Sequence, residues 1–548
     1  MDKLLDHYHN QLALLEQGTQ QFMEQYHNLN AVVLNDIEQP EMRYLIETFA
    51  FMNARISKNL EDRFPALSAH FLEKVAPHCL RSLPGFSLVK LAPKANLDQV
   101  VSIPKGTLLE TTNAEHIYRL QTCYDFDLLP LKIAAVSIKR VGQTDHAEAL
   151  SCLKITLQTL QTEASIASLN IESIPFFIDA PSPYAELIYE ALMTKAKSIE
   201  LVFDDQRQNL SLKNLSALGF AKAGHTLPYH EGTSLGYRLL LEYFYYRRQF
   251  LSFELQGLQK LHAISGNTFS VCIYFDELEP NIQKACTKES ILTSVVPAVN
   301  LNAIYLDSIV FDYTQFDYPL RVGQSGAQPK IYAVTEVENR EPVDWKFHGG
   351  EKPRLELSLP PHKKLAAEPE VVRAKAWVYD AAFGDRQYAL QSSESLLPIE
   401  SIKTIYTCTA QDWWQHNENL LPWVNHLQFG LGQLQQKNGL AFLKNHLSLY
   451  LNKREPWQKK SIESLRALKI SNIIKRLPRE VYAVGPVVHI AIEIDHAAFA
   501  SHSLYLFAQL LECIFLSLVE VGTGLQVVIQ DQYQNICYQG SLKLGAAK

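Results

Sequence analysis

Apolar positions at the start of the chain fall on a seven-residue repeat. Leu5, Tyr8, Leu12, Leu15, Thr19, Phe22, Tyr26 and Leu29 follow alternating three- and four-residue steps, which predicts a helical seam interrupted once, at Thr19. Pro40 suits the first turn of a second helix, in which Met42, Leu45, Phe49, Met52 and Ile56 repeat the spacing. Pro65 predicts the opening of a third, with Leu67, Phe71 and Val75 on one face, and the chain breaks at Pro77 and again at Pro84-Gly85. Two arrangements satisfy these seams: a three-helix hairpin within the chain, or a bundle shared with another chain.

The pattern then shifts to a period of two. Phe86–Leu91 alternates, Val101–Leu109 is a strand broken by the turn Pro104-Lys105-Gly106, and Tyr118–Leu131, Cys152–Leu157, Ser198–Phe203 and Phe269–Phe275 read as further strands. Ser182–Met193 reads as a helix among them. Residues 229 to 258, YHEGTSLGYRLLLEYFYYRRQFLSFELQGL, predict an amphipathic helix over Ser234–Tyr246 and a strand over Phe250–Leu255, where Leu251, Phe253 and Leu255 alternate with Ser252 and Glu254. Ala285–Ser294 reads as helix or loop. Residues 321–330 and 347–370, rich in Gly, Pro and charge, are predicted loops or linkers. In the last 150 residues Leu447–Tyr450 and Ile462–Leu468 read as helix, Val487–Ile494 as strand, Ser503–Val519 as an apolar helix and Leu525–Gln530 as strand. The fold class is therefore α+β. The expected division is a helical region over 1–85, a β-rich domain with inserted helices over 86–285, a second β-rich domain over 286–400 and a mixed α/β domain over 401–548.

Composition changes this picture little. The 548 residues, 47% hydrophobic and 20% charged, suit three or four domains at about 150 residues each. A formal net charge of −7 gives no general drive toward nucleic acid or an anionic membrane. Eight scattered cysteines, with no CxxC, suggest reduced thiols in a cytoplasmic protein. The N-terminus has no apolar run that reads as a signal peptide. Ser503–Val519 approaches membrane-spanning length, but Gln509 and Glu512 at its centre would be costly in lipid, so it reads as a buried helix and not an inserted one.

Candidate chemistry is sparse. His7 and His9 point in different directions on a helix, and His225 and His230 lie in a loop, so neither pair makes a metal site. Gly323-Gln324-Ser325-Gly326 lacks the spacing of a nucleophile elbow, and Ser87 with Lys90 sits on a strand. Gly522-Thr523-Gly524 lacks the third glycine and the following helix of a dinucleotide fingerprint and reads as a helix end feeding a strand. Asp204-Asp205 and Asp276-Glu277-Leu278-Glu279 read as solvated loop acids. The stretch from Lys453 to Lys460, with Trp457 among its basic residues, reads as a surface loop. No catalytic, cofactor-binding or metal residue is assigned, and the chain is not expected to be an enzyme.

Gly236-Tyr237, Leu239 and Glu242-Tyr243-Phe244, followed by the run Phe250-Leu251-Ser252-Phe253, resemble a signature of the TssF family of type VI secretion baseplate proteins. The resemblance covers the chain in pieces. It extends to Tyr8, Leu12 and Leu15, to Phe49-Ala50-Phe51-Met52 with Ala54-Arg55, to Phe64-Pro65, and to the segment from Ala76 through Pro84, where Ser82 and Leu83 depart from the family pattern. Ile103-Pro104-Lys105-Gly106-Thr107, Arg119 to Asp125, Val295 to Leu301, Asp317 to Leu320 and Ile331 to Val334 continue it in order. Phe515 to Val521 departs from the family's usual ending. The resemblance implies a structural wedge subunit of a contractile-injection baseplate at the cytoplasmic face of the inner membrane. It also implies assembly with TssG-, TssE- and TssK-like subunits, a second copy of the chain, and sheath and spike proteins. The partner seam would then be Leu5, Tyr8, Leu12, Leu15, Phe22, Tyr26 and Leu29. The competing expectation is a cytoplasmic β-rich carbohydrate-active or carbohydrate-binding protein.

Overall fold

The computed structural model describes residues 8, 12 and 40–545, less 113–115, 141–148, 162–163, 204–205, 221–223, 230–234, 264–265, 277–279, 313, 324–327, 340–342, 351, 359–368, 395–396, 412–419, 428, 453 and 478–483. Of the expected partner seam, Tyr8 and Leu12 are described, both helical and half-buried; Leu5, Leu15, Phe22, Tyr26 and Leu29 lie outside the described residues. Helix and strand are both abundant, so the α+β class holds.

The chain forms two compact units, one of Met1–Leu80 with Trp414–Gln428, the other of Arg81–Trp413 with Phe429–Lys548. In the smaller unit a single helix, Pro40–Val75, replaces the two helices expected around Pro65. The backbone stays helical through that proline. A proline inside a helix removes one hydrogen bond and strains one turn, a cost of about 3 kcal/mol that the turns on either side can carry. The short helix Leu421–His426 packs against it, and Trp423 is fully buried.

The larger unit is built on a closed six-stranded barrel. Its order is Phe86–Pro93, Val295–Val299, Arg119–Thr122, Leu108–Thr111, Ala389–Ser392 and Ile399–Cys408, the last pairing back to the first. Closure leaves no unpaired edge. The inward positions of the alternating pattern, among them Val89, Leu91, Leu109, Leu120, Val296 and Ile402, fill its core together with Phe383 and Tyr388. The barrel strands come from both sides of residue 286.

Two antiparallel sheets are inserted between barrel strands. One has five strands, Gln206–Leu210, Ala196–Phe203, Thr268–Phe275, Ser151–Thr159 and Leu131–Arg140; the other has four, Leu215–Ala217, Ser252–Gln256, Ser173–Ile178 and Ile291–Thr293. A further four-stranded sheet is built around Glu370–Asp380, with its own core of Leu306, Phe311, Tyr318, Leu355, Val372 and Ala376. The three-stranded sheet beside it uses Trp345–His348 and Arg354–Leu357, so the predicted loop over 347–370 contains strand.

The last module is a five-stranded sheet in which Val484–Ile494 and Gly524–Asp531 run parallel. Parallel neighbours need a long crossover, and the helix Leu504–Leu518 provides it. Gly522, at φ +83°, turns the chain from that helix into the strand, as its position at a helix end predicted. Ile462–Leu468 is corrected: a helix ends at Glu463 and a strand runs Leu465–Arg476. Ile470, Ile473 and Ile474 carry the β-branched bias that outweighs the short helical periodicity there.

The helix Leu235–Tyr245 lies against Leu504–Leu518. A side chain at Gly236 would place its Cβ 3.0 Å from the Ile514 backbone. Gly236→Leu is therefore expected to lower stability by about 1–3 kcal/mol through overpacking, read as a lower urea midpoint at unchanged slope. An unchanged midpoint would contradict this packing.

Candidate functional site

The most patterned segment of the sequence is a core element. The helix Leu235–Tyr245 was expected to bury one face. Instead Leu239, Leu240, Leu241, Glu242, Tyr243 and Phe244 are each at most 2% exposed, so most of its circumference is covered. A turn at Arg247–Phe250 follows, and the strand begins at Ser252, where Phe253 and Leu255 are buried as the alternation required. Tyr246 stacks on Phe86 of the barrel at 4.5 Å and its hydroxyl donates to Pro84 O at 2.7 Å.

Three carboxylates sit at the joints. Glu186 accepts from Arg247 Nε at 2.8 Å and from Arg247 Nη2, and also from the backbone N–H of Ser503 at 2.7 Å. Burial alone would raise its pKa; the Arg247 charge and these donors outweigh burial and hold it well below the usual carboxylate range. Arg247 is itself packed between Tyr243 and Trp457, 4.6 and 4.2 Å from the two rings. Glu512, in the middle of the apolar helix, is held by Lys543 and Tyr538, which explains a charge in that run. Glu242 is fully enclosed. It accepts from Thr226 N at 2.9 Å, Tyr229 OH at 3.2 Å and Gln249 Nε2 at 3.2 Å. Burial exceeds the pull of these donors and pushes its carboxyl from the ordinary 4.5 up to about 7.

The expected surface loop around Trp457 is also corrected. Pro456–Glu463 is a helix, and Gln458 is buried with its amide donating to Phe244 O at 2.7 Å. Among the described residues no group of three or more His, Cys, Asp and Glu is placed to hold a metal ion, and no helix is long and apolar enough to cross a membrane. Asp204 and Asp205, His7, His9 and His230 lie outside the described residues.

In the smaller unit the long helix carries large apolar side chains at its surface. Along Pro40–Val75, Ala50, Ala54, Ser68 and Leu72 are buried, and at 100° per residue they fall on one narrow stripe. Tyr44, Phe49, Phe51, Met52 and Ile56 fall outside it and are 46–73% exposed. Phe49, Met52 and Ile56 continue the expected spacing along one line. Large apolar side chains exposed outside the one buried stripe form an uncovered apolar line on a helix that also carries many charges.

The family model "Type VI secretion system, TssF" matches residues 1–348 and 377–539. The chain belongs to the TssF family. It is 23% identical to the type VI secretion system component TssF1 of Pseudomonas aeruginosa strain PAO1 over 607 aligned positions, covering 96% of each chain. Its fold is similar to a chain of the TssK-TssF-TssG baseplate subcomplex solved by cryo-electron microscopy, with a TM-score of 0.74 at 17% identity over 92% of this chain and 99% of that one. It is also similar to a chain of the type VI baseplate complex, with a TM-score of 0.58 at 15% identity over 98% and 99%. At these identities the two structures show the fold alone. The carbohydrate-active alternative finds no support in them.

The Glu242 carboxyl gives a pH signature. An acid whose pKa is higher in the folded state binds its proton more tightly there. Its stabilising contribution is fully present below about pH 4.5 and is lost as pH rises through about 7. Relative to Glu242→Gln, the wild-type chain should lose up to ~3 kcal/mol across that window, measured as urea midpoints at several pH values. Parallel pH profiles for the two proteins would contradict this.

Proposed function

We propose that this chain works by assembly, with the long helix of its smaller unit as a principal contact. As a TssF-family protein it is a structural component of the type VI secretion baseplate. The observation that carries the contact reading is the exposed line Phe49, Met52 and Ile56 on Pro40–Val75. Left in water, large apolar side chains at helical spacing forgo about 1.5–3 kcal/mol each, and a partner helix set against them recovers it.

A related subcomplex contains TssK, TssF and TssG, which supports TssG- and TssK-like subunits as the partners here. The seam Leu5, Tyr8, Leu12, Leu15, Phe22, Tyr26 and Leu29 belongs to the same shared bundle in this reading. A wedge with a second copy of the chain and a TssE-like subunit, arranged around the spike beneath the sheath and at the cytoplasmic face of the inner membrane, completes it. The role is mechanical and needs no catalytic residue.

Co-expression with the TssG-like protein of the same locus, purified through a tag on the latter, tests this. Wild-type chain should co-purify. Leu12→Asp with Leu15→Asp, and separately Phe49→Asp with Met52→Asp, should each reduce recovery at least tenfold while the far-UV circular dichroism of the β-rich unit is kept. Normal co-purification of both double variants would defeat the reading.

A further inference from the structure

The larger unit holds a cavity of about 340 Å³ where the short two-stranded sheet of Val101–Ile103 and Phe126–Leu128 and its turns meet the four-stranded sheet. Pro175, Phe176 and Phe177 line it from the Ser173–Ile178 strand, and Phe126, Leu218 and Val295 add to the apolar surface. Its polar groups are unequal in sign. Asp125, Asp127 and Glu254 are carboxylates, and Lys105 is the one cation among the described lining residues. The Lys105 ammonium lies 3.2 Å from His225 Nε2, a contact that leaves its charge in place, so the described carboxylates outnumber that cation by three to one. Glu254 accepts from Ser173 Oγ at 2.7 Å and Gln256 Nε2 at 2.6 Å, which fixes its carboxylate in place. Asp125 accepts the Lys105 backbone N–H at 2.9 Å, whereas Asp127 is exposed and pairs with no cation among the described residues.

A concave apolar floor with a few convergent polar groups is the ordinary build of a binding pocket, and 340 Å³ falls within the usual range of about 300–1,000 Å³. The volume suits one or two large apolar side chains. The surplus of carboxylates selects what stands beside them. We propose that this cavity receives an apolar anchor flanked by Lys or Arg, carried on an extended segment of a protein partner. The choice of a protein as occupant rests on the assembly reading above. The acidic lining sets orientation and rate of encounter, and the apolar floor supplies most of the affinity.

The test uses the purified full chain and two fluorescein-labelled capped tetrapeptides, Lys-Leu-Phe-Lys and Glu-Leu-Phe-Glu, followed by fluorescence anisotropy. The basic peptide should bind saturably below about 1 mM, the weak end of specific affinity, and the acidic one at least tenfold more weakly. A side chain at Gly224 starts in ordinary contact, with its Cβ 3.5 Å from Gly219. Gly224→Phe therefore blocks the cavity without backbone strain. It should weaken the basic peptide at least tenfold, and so should Asp127→Lys, which alters only an exposed charge. Should Gly224→Phe lose its fold by circular dichroism, Asp127→Lys decides alone. Absence of saturation, equal affinity for the two peptides, or unchanged binding in a folded variant would overturn the proposal. If any of these occurs while the wild-type chain still co-purifies with its TssG-like neighbour, the baseplate reading stands and the pocket reading falls.

Discussion

The larger unit turns on the pairing of Glu186 with Arg247. The carboxylate comes from the helix Tyr184–Thr194, the guanidinium from the turn after Leu235–Tyr245, and the Ser503 N–H from the start of the crossover helix. Glu190, one turn along from Glu186, accepts the next N–H, that of Leu504, at 2.9 Å. Two carboxylates of one helix therefore meet the positive end of another, where acidic groups are most favourable. Such a pair contributes little net stability over a well-packed apolar substitute. Losing one partner is costly, about 3–5 kcal/mol, because the other charge stays buried. The interaction thus enforces which elements meet more than it adds to the total.

The same logic governs Glu242 and Glu512. Each is a buried acid inside a largely apolar helix, and each is tied to residues outside that helix: Glu242 to Thr226 and Gln249, Glu512 to Tyr538 and Lys543. Burial of so many apolar and aromatic groups on Leu235–Tyr245 would be satisfied by several packings. Fixed polar partners are satisfied in fewer of these. The most recognisable stretch of the chain is thus enclosed by the chain's own residues, whereas the helix Pro40–Val75 leaves large apolar groups uncovered.

Elements with a clean period were readable from the sequence. Ser503–Val519 was expected and Leu504–Leu518 is found; Val487–Ile494 and Leu525–Gln530 lie within the observed strands; the alternation at Ser252, Phe253, Glu254 and Leu255 is the pattern in the fold. What failed depends on tertiary context. The all-round burial of Leu235–Tyr245 follows from neighbours hundreds of residues away, such as Phe507 and Gln458. The strand after Glu463 and the continuous helix through Pro65 were set by packing and by long helical turns that local propensity does not register. The acid-lined cavity had no local signal, because its residues come from six separate stretches from Lys105 to Val295. The uncovered helix did leave one: Phe49, Met52 and Ile56 keep a seam spacing that the described part of the chain does not cover.

Hydrogen–deuterium exchange on the chain alone and in complex with its TssG-like partner tests the central claim most directly. Amides of Leu235–Tyr245 should be strongly protected in both states, since that helix is enclosed by the chain itself. Amides of Pro40–Val75 should gain protection only in the complex. Equal exchange of Pro40–Val75 in both states, or protection gained instead at Leu235–Tyr245, would contradict a folding role for one helix and an assembly role for the other.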